Sequence, residues 1–208
     1  MHIKTNDTRY ILCRPQGGLN DMLGEIEKCC QYADRTNRIV IVDTNYAGAE
    51  SFHDELNHYF ESMQSNLFLS IDGFKGLLRQ LDVFPNFLFG RIDSYKTVRK
   101  PQTNYLIDEI TQEFISFDFN KEYDEKLLIH HSSGGATNSH LLFQRLRLAK
   151  NLGVEFERRL GEIGGTYLGI HIRNTDYYSD YSKIIKSIKN YPQKIFSYLQ
   201  TAKIPSMI

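Results

Sequence analysis

A strand, a glycine turn, a helix and a second strand follow one another within the first 43 residues, and this order constrains the fold most. The pattern predicts a strand over Arg9–Arg14, a turn over Pro15–Gly18, a helix from about Leu19 to Asn37 and a strand over Arg38–Asp43. The second strand is apolar on both faces, as is typical of parallel sheets. Such a unit predicts a right-handed crossover and an α/β fold. Apolar residues recur on one face of the helix at helical spacing: Leu19, Leu23, Ile26, Cys30 and Ala33.

The composition excludes several classes of protein. The 208 residues carry 25 Lys and Arg against 25 Asp and Glu, so no overall positive field attracts nucleic acid or an anionic membrane. There is no apolar run of about 18 residues that would span a membrane, and the polar start, Met1–Thr8, lacks the apolar region of a signal peptide. An odd number of cysteines favours a reducing compartment, so we expect a cytoplasmic protein. The three cysteines are Cys13, Cys29 and Cys30.

The remainder of the chain gives weaker signals and a domain boundary. Apolar spacing predicts short helices within residues 52–63 and 73–84, and one long helix over Ser139–Leu160. The glycine pair Gly164–Gly165 then marks the expected end of the first domain. We therefore expect an N-terminal α/β domain over residues 1–163 and the start of a second domain over residues 164–208.

A polar loop is expected to follow a strand over Lys126–Ile129. Its sequence is His130-His131-Ser132-Ser133-Gly134-Gly135. Adjacent histidines on a strand point to opposite sides, so the pair is a poor metal site. Because the loop ends a strand of the sheet, Ser132, Ser133 and Gly134 are candidates for contact with an acceptor or a nucleotide.

A second apolar run, Tyr167–Ile172, leads directly into charged residues. His171, Arg173 and Asp176 would lie at the tip of a strand, where ligands bind in α/β folds. A guanidinium placed there can pair with a phosphate through two hydrogen bonds. The alternative is a surface arginine that pairs with Asp176.

Two motifs together resemble a known family. The residues His171-Ile-Arg173-Asn174-Thr175-Asp176 resemble the His-x-Arg-Arg-x-Asp signature of the α1,2-, α1,6- and protein O-fucosyltransferase superfamily. The turn Gly17-Gly18-Leu19-Asn20-Asp21 resembles the N-terminal glycine turn of that superfamily, and residues 30–43 are similar to the bacterial nodulation fucosyltransferases. The resemblance implies a GT-B fold of two Rossmann-like domains. It also implies inverting transfer of L-fucose from GDP-fucose to a glycan, with no metal and no cofactor beyond the donor.

The resemblance implies roles for the signature residues. Arg173 would bind the β-phosphate of GDP-fucose and stabilise the charge that develops there as GDP leaves. His171 would support the same loop, and Asp176 would orient Arg173. Asn174 stands where the family has a second arginine, so one expected cationic contact is replaced by an amide. The general base is not fixed by the pattern; Asp21 is the first candidate and Asp43 the second.

The glycine turn has two interpretations. In the first, Gly17 and Gly18 let a ligand approach the backbone, and the helix that begins near Asn20 offers its N–H groups to phosphate or sugar oxygens. In the second, the residues form an ordinary strand-to-helix turn with Asn20 or Asp21 as its N-cap. The turn matches neither a Walker loop nor a dinucleotide-binding glycine motif.

Alternatives to an active fucosyltransferase remain at this point. The resemblance places the guanine and ribose contacts after residue 208, so we expect a shortened chain that turns over poorly alone. The alternatives are a catalytically incomplete fragment or an unrelated α/β nucleotide-binding protein. Residues 204–208 resemble a strand at its start, and an unpaired edge there would favour a homodimer. The expected partners are a nucleotide sugar and a glycan acceptor.

Overall fold

The computed structural model describes residues 8–46, 54–103, 105–134 and 138–164. All the strands described below belong to one compact unit, which ends at Leu160. The domain boundary after residue 163 stays a prediction. Two single 3-10 turns occur at Leu56–His58 and Asn86–Leu88. The strands are β1 (Arg9–Gln16), β2 (Arg38–Val42), β3 (Phe60–Ser62), β4 (Leu67–Phe68), β5 (Val83–Phe84), β6 (Thr97–Arg99), β7 (Leu106–Asp108), β8 (Leu127–Ser133) and β9 (Leu146–Leu148). The helices are α1 (Leu19–Thr36), α2 (Lys75–Leu78), α3 (Ser139–Leu142) and α4 (Lys150–Ile163).

Five parallel strands form the central sheet, in the order β4-β2-β1-β8-β5. This confirms the predicted α/β class with a parallel sheet. Strand β1 lies in the middle and extends through Pro15 and Gln16, which were predicted to belong to the turn. Proline is rare within central strands because it has no N–H to donate, and the sequence pattern therefore ended the strand too early.

Helix α1 packs its predicted apolar face against the sheet. Leu23, Ile26, Cys30 and Ala33 are buried in the core together with Cys29, as expected, whereas Leu19 is exposed. The N-cap residue is Gly18, with no side-chain capping bond, so the prediction of Asn20 or Asp21 as N-cap was wrong. The buried face of the helix begins at Met22, three residues after Leu19.

The helices predicted from the middle of the chain are mostly replaced by short strands. Residues 52–63 contain a 3-10 turn and β3, and residues 73–84 contain the one-turn helix α2 followed by β5. The long helix predicted over Ser139–Leu160 is divided into α3, β9 and α4. Strand β9 pairs with β3 in antiparallel register, and this partner lies about 85 residues away in the sequence. Local spacing cannot detect such a partner.

Candidate functional site

The carboxyl ends of β1 and β8 lie side by side at one edge of the sheet, because the two strands are parallel neighbours. In open α/β sheets, ligands bind in a crevice outside the carboxyl ends of the strands. This edge is therefore the candidate ligand crevice. The register pairs Pro15 with Ser132 and Gln16 with Ser133. Two groups of residues that the sequence singled out separately therefore meet at the same edge.

Gly17, Gly18, Asn20 and Asp21 follow the carboxyl end of β1, in the turn and at the start of α1. Gly17 has a φ of 109°, and Gly18 caps α1 with extended backbone. The Ser139 hydroxyl donates to Oδ1 of Asn20 at 2.6 Å, so α3 contacts the first turn of α1. Asp21 lies in that turn, where its charge suits the helix dipole. The second interpretation holds only as a strand-to-helix turn capped by Gly18, because Asn20 and Asp21 lie within the helix. The first interpretation, in which a ligand approaches the backbone, is compatible with these positions.

Ser132 and Ser133 end β8, and Gly134 follows with a φ of 77°. The prediction that the polar segment from His130 forms a loop was wrong, because pairing with β1 continues through Ser133. The prediction that His130 and His131 point to opposite faces is confirmed by their different partners. His130 contacts Glu25 of α1, whereas His131 contacts Tyr95.

Asp43, the second candidate base, is engaged in a buried ion pair. Its Oδ2 lies 2.9 Å from Nε of Arg14, and both side chains are buried. Arg14 also donates to the carbonyl oxygen of Ile92 at 2.6 Å and lies 3.7 Å from the centre of the Tyr46 ring. Burial alone would lower the pKa of Arg14, but the charges of Tyr95 and Asp43 raise it. The Asp43 carboxylate therefore serves to hold a permanent cation inside the domain.

His131 belongs to a buried polar chain that the sequence did not indicate. The Tyr95 hydroxyl lies 2.8 Å from its Nδ1, and Nε2 of Gln16 lies 2.9 Å from its Nε2. Burial, followed by the charge of Arg14, lowers the pKa of His131 well below its ordinary value. The ring is therefore neutral near pH 7, and with the Gln16 amide as donor it accepts at Nε2 and donates from Nδ1. This chain ties β1 and β8 to the segment around Tyr95.

A second buried chain lies on the opposite face of β8. Nε2 of His130 lies 2.5 Å from Oε2 of Glu25, and its Nδ1 lies 2.6 Å from the Ser116 hydroxyl. Lys28 also donates to Glu25, at 3.1 Å. Burial would raise the pKa of Glu25, but the hydrogen bond and charge of His130, together with Lys28, hold it below its ordinary value. Both ring nitrogens of His130 are occupied, so it fixes α1 to β8.

Two further findings concern the part of the chain that the structure covers. There, no three His, Cys, Asp or Glu side chains are grouped so that they could hold a metal ion. Within the same residues, no helix combines the length and the apolar character needed to cross a membrane. His171, Arg173, Asn174 and Asp176 lie outside the described residues.

Replacing Gly17 with alanine is expected to destabilise the domain by about 1–3 kcal/mol, because a side chain rarely adopts a φ of 109°. A Cβ at this position would also lie 3.3 Å from both Cβ and Oδ2 of Asp21. Gly18→Ala is the matched control: its φ is −67°, and its nearest contact would be 3.8 Å. We expect Gly18→Ala to change the free energy of unfolding, measured by urea denaturation, by no more than about 1 kcal/mol. Equal losses for the two variants would contradict the strain at Gly17.

Comparison with known proteins connects this fold to one group of enzymes. No protein-family model and no curated protein sequence matches the chain. Among solved structures, the fucosyltransferase NodZ from Bradyrhizobium matches with a TM-score of 0.57 and 14% identity over 97% of this chain and 69% of that one. NodZ α-1,6-fucosyltransferase co-crystallised with GDP matches with a TM-score of 0.58 and 15% identity, over 97% and 69% of the two chains. The chain has a fucosyltransferase-like GT-B fold. At this identity the likeness concerns the fold, and the function has to be argued from the site.

Proposed function

We propose that this protein is a glycosyltransferase that transfers L-fucose from GDP-fucose to a glycan acceptor with inversion at the fucose C1 atom. The observation that carries the proposal is the register that brings the glycine turn after β1 beside Ser132–Gly134 at the carboxyl edge of the sheet. The GT-B likeness and the signature from His171 to Asp176 support the same chemistry. We further propose a role in bacterial polysaccharide assembly in the cytoplasm, which suits three buried cysteines without a disulfide.

The reaction needs one base and one site for developing negative charge. The acceptor hydroxyl attacks C1 of fucose, its proton passes to a base, and the bond from C1 to the β-phosphate oxygen breaks. Asp21 is the proposed base, since it is partly exposed at the crevice whereas Asp43 is paired with Arg14. Arg173 is proposed to stabilise the charge on the departing phosphate, which would be worth about 10²–10³ in rate. His171, Asn174 and Asp176 would hold that loop in place.

Binding of GDP tests the donor half of this proposal. Calorimetric titration of GDP into the 208-residue chain is expected to give weak but saturable binding through the phosphates, since the guanine and ribose contacts are expected after residue 208. Arg173→Ala should weaken this binding about tenfold or more, because a charge-assisted phosphate contact is lost. Arg147→Ala is the matched control, since Arg147 is an exposed arginine that pairs with Glu61 on the surface. We expect GDP binding by this control to equal that of the unchanged chain.

Two outcomes would contradict the proposal. Equal GDP affinity for Arg173→Ala and the unchanged chain would remove the signature from the donor site. An absence of GDP binding by the unchanged chain would show that these 208 residues do not form a donor site. With GDP bound, release of GDP from GDP-fucose in the presence of acceptor, followed by NMR of the product's anomeric proton, tests transfer and inversion.

A further inference from the structure

Two adjoining cavities run beside α1 and reach the carboxyl end of β8. The larger, of about 840 Å³, is lined by Arg99, Lys100 and Ser132–Gly134 among others. The smaller, of about 560 Å³, is lined by Phe114 and Phe119 among others. Lys28, Tyr105 and Ser132 line both, so the cavities are neighbours, and we call them together the α1 groove. Volumes of this size are typical of small-molecule sites.

Aromatic rings lie open along the α1 groove. Tyr105 is 60% exposed and Phe114 is 46% exposed, and their ring centres lie 5.5 Å apart at 79°. Exposed aromatic rings offer flat apolar area at little conformational cost, and the apolar face of a sugar ring fits such a surface. The polar ends of the groove, at Ser132 and Ser133, supply hydroxyl groups of the kind that fix the orientation of a ligand.

Two lysine side chains make cation–π contacts with aromatic rings of the groove. Nζ of Lys100 lies 4.7 Å from the ring centre of Phe114, and Nζ of Lys28 lies 5.6 Å from that of Phe119. Each ammonium group is therefore held beside an aromatic surface by a cation–π contact. A ligand that rests on these rings and carries negative charge would meet an ammonium group at both cavities.

The charges of the α1 groove are unbalanced, although the whole chain is neutral. Its cationic lining comprises Lys28, Arg99 and Lys100. The acidic groups in its lining are Glu25 and Asp118. Glu25 is buried and pairs with His130 and with Lys28, and Asp118 lies 3.8 Å from Lys121, which is outside the lining. The lining therefore carries three cationic side chains against two acidic ones. The groove therefore presents net positive charge to an occupant.

We propose that the α1 groove binds the acceptor, and that this acceptor is an anionic saccharide whose sugar residues carry carboxylate or phosphate groups. This inference rests on the proposed function, and it names the substrate class. The sugar rings pack on Tyr105 and Phe114, and the negative groups pair with Lys28 and Lys100. The groove opens at Ser132–Gly134, so a bound chain extends toward the crevice in which transfer is proposed.

Titration with a matched pair of saccharides tests this inference without any donor. Trigalacturonate is expected to bind, and its fully methyl-esterified form, with the same backbone and no charge, is expected to bind about tenfold more weakly. Lys28→Gln and Lys100→Gln should each weaken trigalacturonate binding about fivefold. Raising NaCl from about 20 to about 500 mM should weaken it further, because exposed charges are screened. Galactose 6-phosphate, tested alongside, distinguishes phosphate from carboxylate as the preferred group.

The matched control is Lys75→Gln, which should leave trigalacturonate binding unchanged. Lys75 is an exposed lysine that pairs with Asp72 outside the groove. Equal binding of the ester, unaltered affinity of both groove variants or no binding of any anionic probe would overturn the inference. Competition between GDP and trigalacturonate would also overturn it, because the groove would then hold nucleotide phosphate. If the chain binds GDP but none of these saccharides, only the proposal for the α1 groove is contradicted. If it binds trigalacturonate but not GDP, only the proposal for the donor site is contradicted.

Discussion

Replacing Asp43 with alanine is expected to lower the free energy of unfolding by about 3–5 kcal/mol, because the change leaves a buried arginine without its counter-ion. Nε of Arg14 lies 2.9 Å from the lost carboxylate, and the side chain is 2% exposed. Its remaining partners are the carbonyl oxygen of Ile92 and the side chains of Tyr46 and Tyr95, and none of them carries a full negative charge at neutral pH. Urea denaturation followed by circular dichroism measures the loss.

A surface ion pair provides the comparison for Asp43. Glu61 pairs with Arg147, and both side chains are at least a third exposed, so Glu61→Ala should change the free energy of unfolding little. Asp43→Asn keeps a hydrogen-bond acceptor for Arg14, so its loss of unfolding free energy should lie between those of Asp43→Ala and Glu61→Ala. This variant keeps the test usable if Asp43→Ala does not fold. A loss for Asp43→Ala as small as that for Glu61→Ala would show that Arg14 reaches solvent or another anion.

Replacing Glu25 with glutamine should lower the free energy of unfolding by about 1.5–3 kcal/mol at pH 7, the range for hydrogen bonds to charged groups. The carboxylate is buried and receives hydrogen bonds from His130 and Lys28, which an amide meets less well. Unlike the loss at Asp43, this effect should depend on pH. The folded pKa of Glu25 is lowered, so its contribution is present above the unfolded value of about 4.3 and disappears as the pH falls through the folded value.

Urea denaturation at a series of pH values from 7 to about 3 tests this dependence. The difference between the unchanged chain and Glu25→Gln should be largest near neutral pH and should narrow at the acid end. Glu109→Gln, at an exposed position after β7, is the control and should stay within about 0.5 kcal/mol throughout. A difference that does not change with pH would mean that packing, rather than the carboxylate's charge, accounts for the loss.

The first third of the domain could be predicted because its signals are local. The apolar strands and the helical spacing of Leu23, Ile26 and Cys30 lie within a few residues of one another and agree with the final packing. The glycines of the turn were placed correctly, but Pro15 and Gln16 belong to β1, and the helix is capped by Gly18. Beyond residue 46, β3, β5 and β9 are two or three residues long and depend on partners far away in the sequence. In this part of the chain the spacing of apolar residues matches that of a helix, although the residues form short strands and turns.

At the candidate site, too, local features could be predicted from the sequence, whereas contacts between distant residues could not. The sequence placed both Gly17 and Ser133 in segments that follow a strand, but only the register between β1 and β8, which pairs Gln16 with Ser133, shows that the two segments meet. Arg14 offered a signal that sequence analysis did not use, since a charge near the end of a buried central strand requires a partner. Glu25 offered little, because a glutamate on a helix is ordinarily exposed and its partner His130 is encoded 105 residues later.

The distance along the chain between β1 and β8 has a consequence for synthesis. Gln16 and His131 are 115 residues apart, so β1 waits for its second neighbour until most of the domain has left the ribosome. During that interval one edge of the central strand is open to other chains, and the closure of so long a loop makes folding slow. Expression level and temperature should therefore govern the soluble yield of this protein more strongly than its final stability does, and a nascent chain ending before residue 127 should be retained by chaperones.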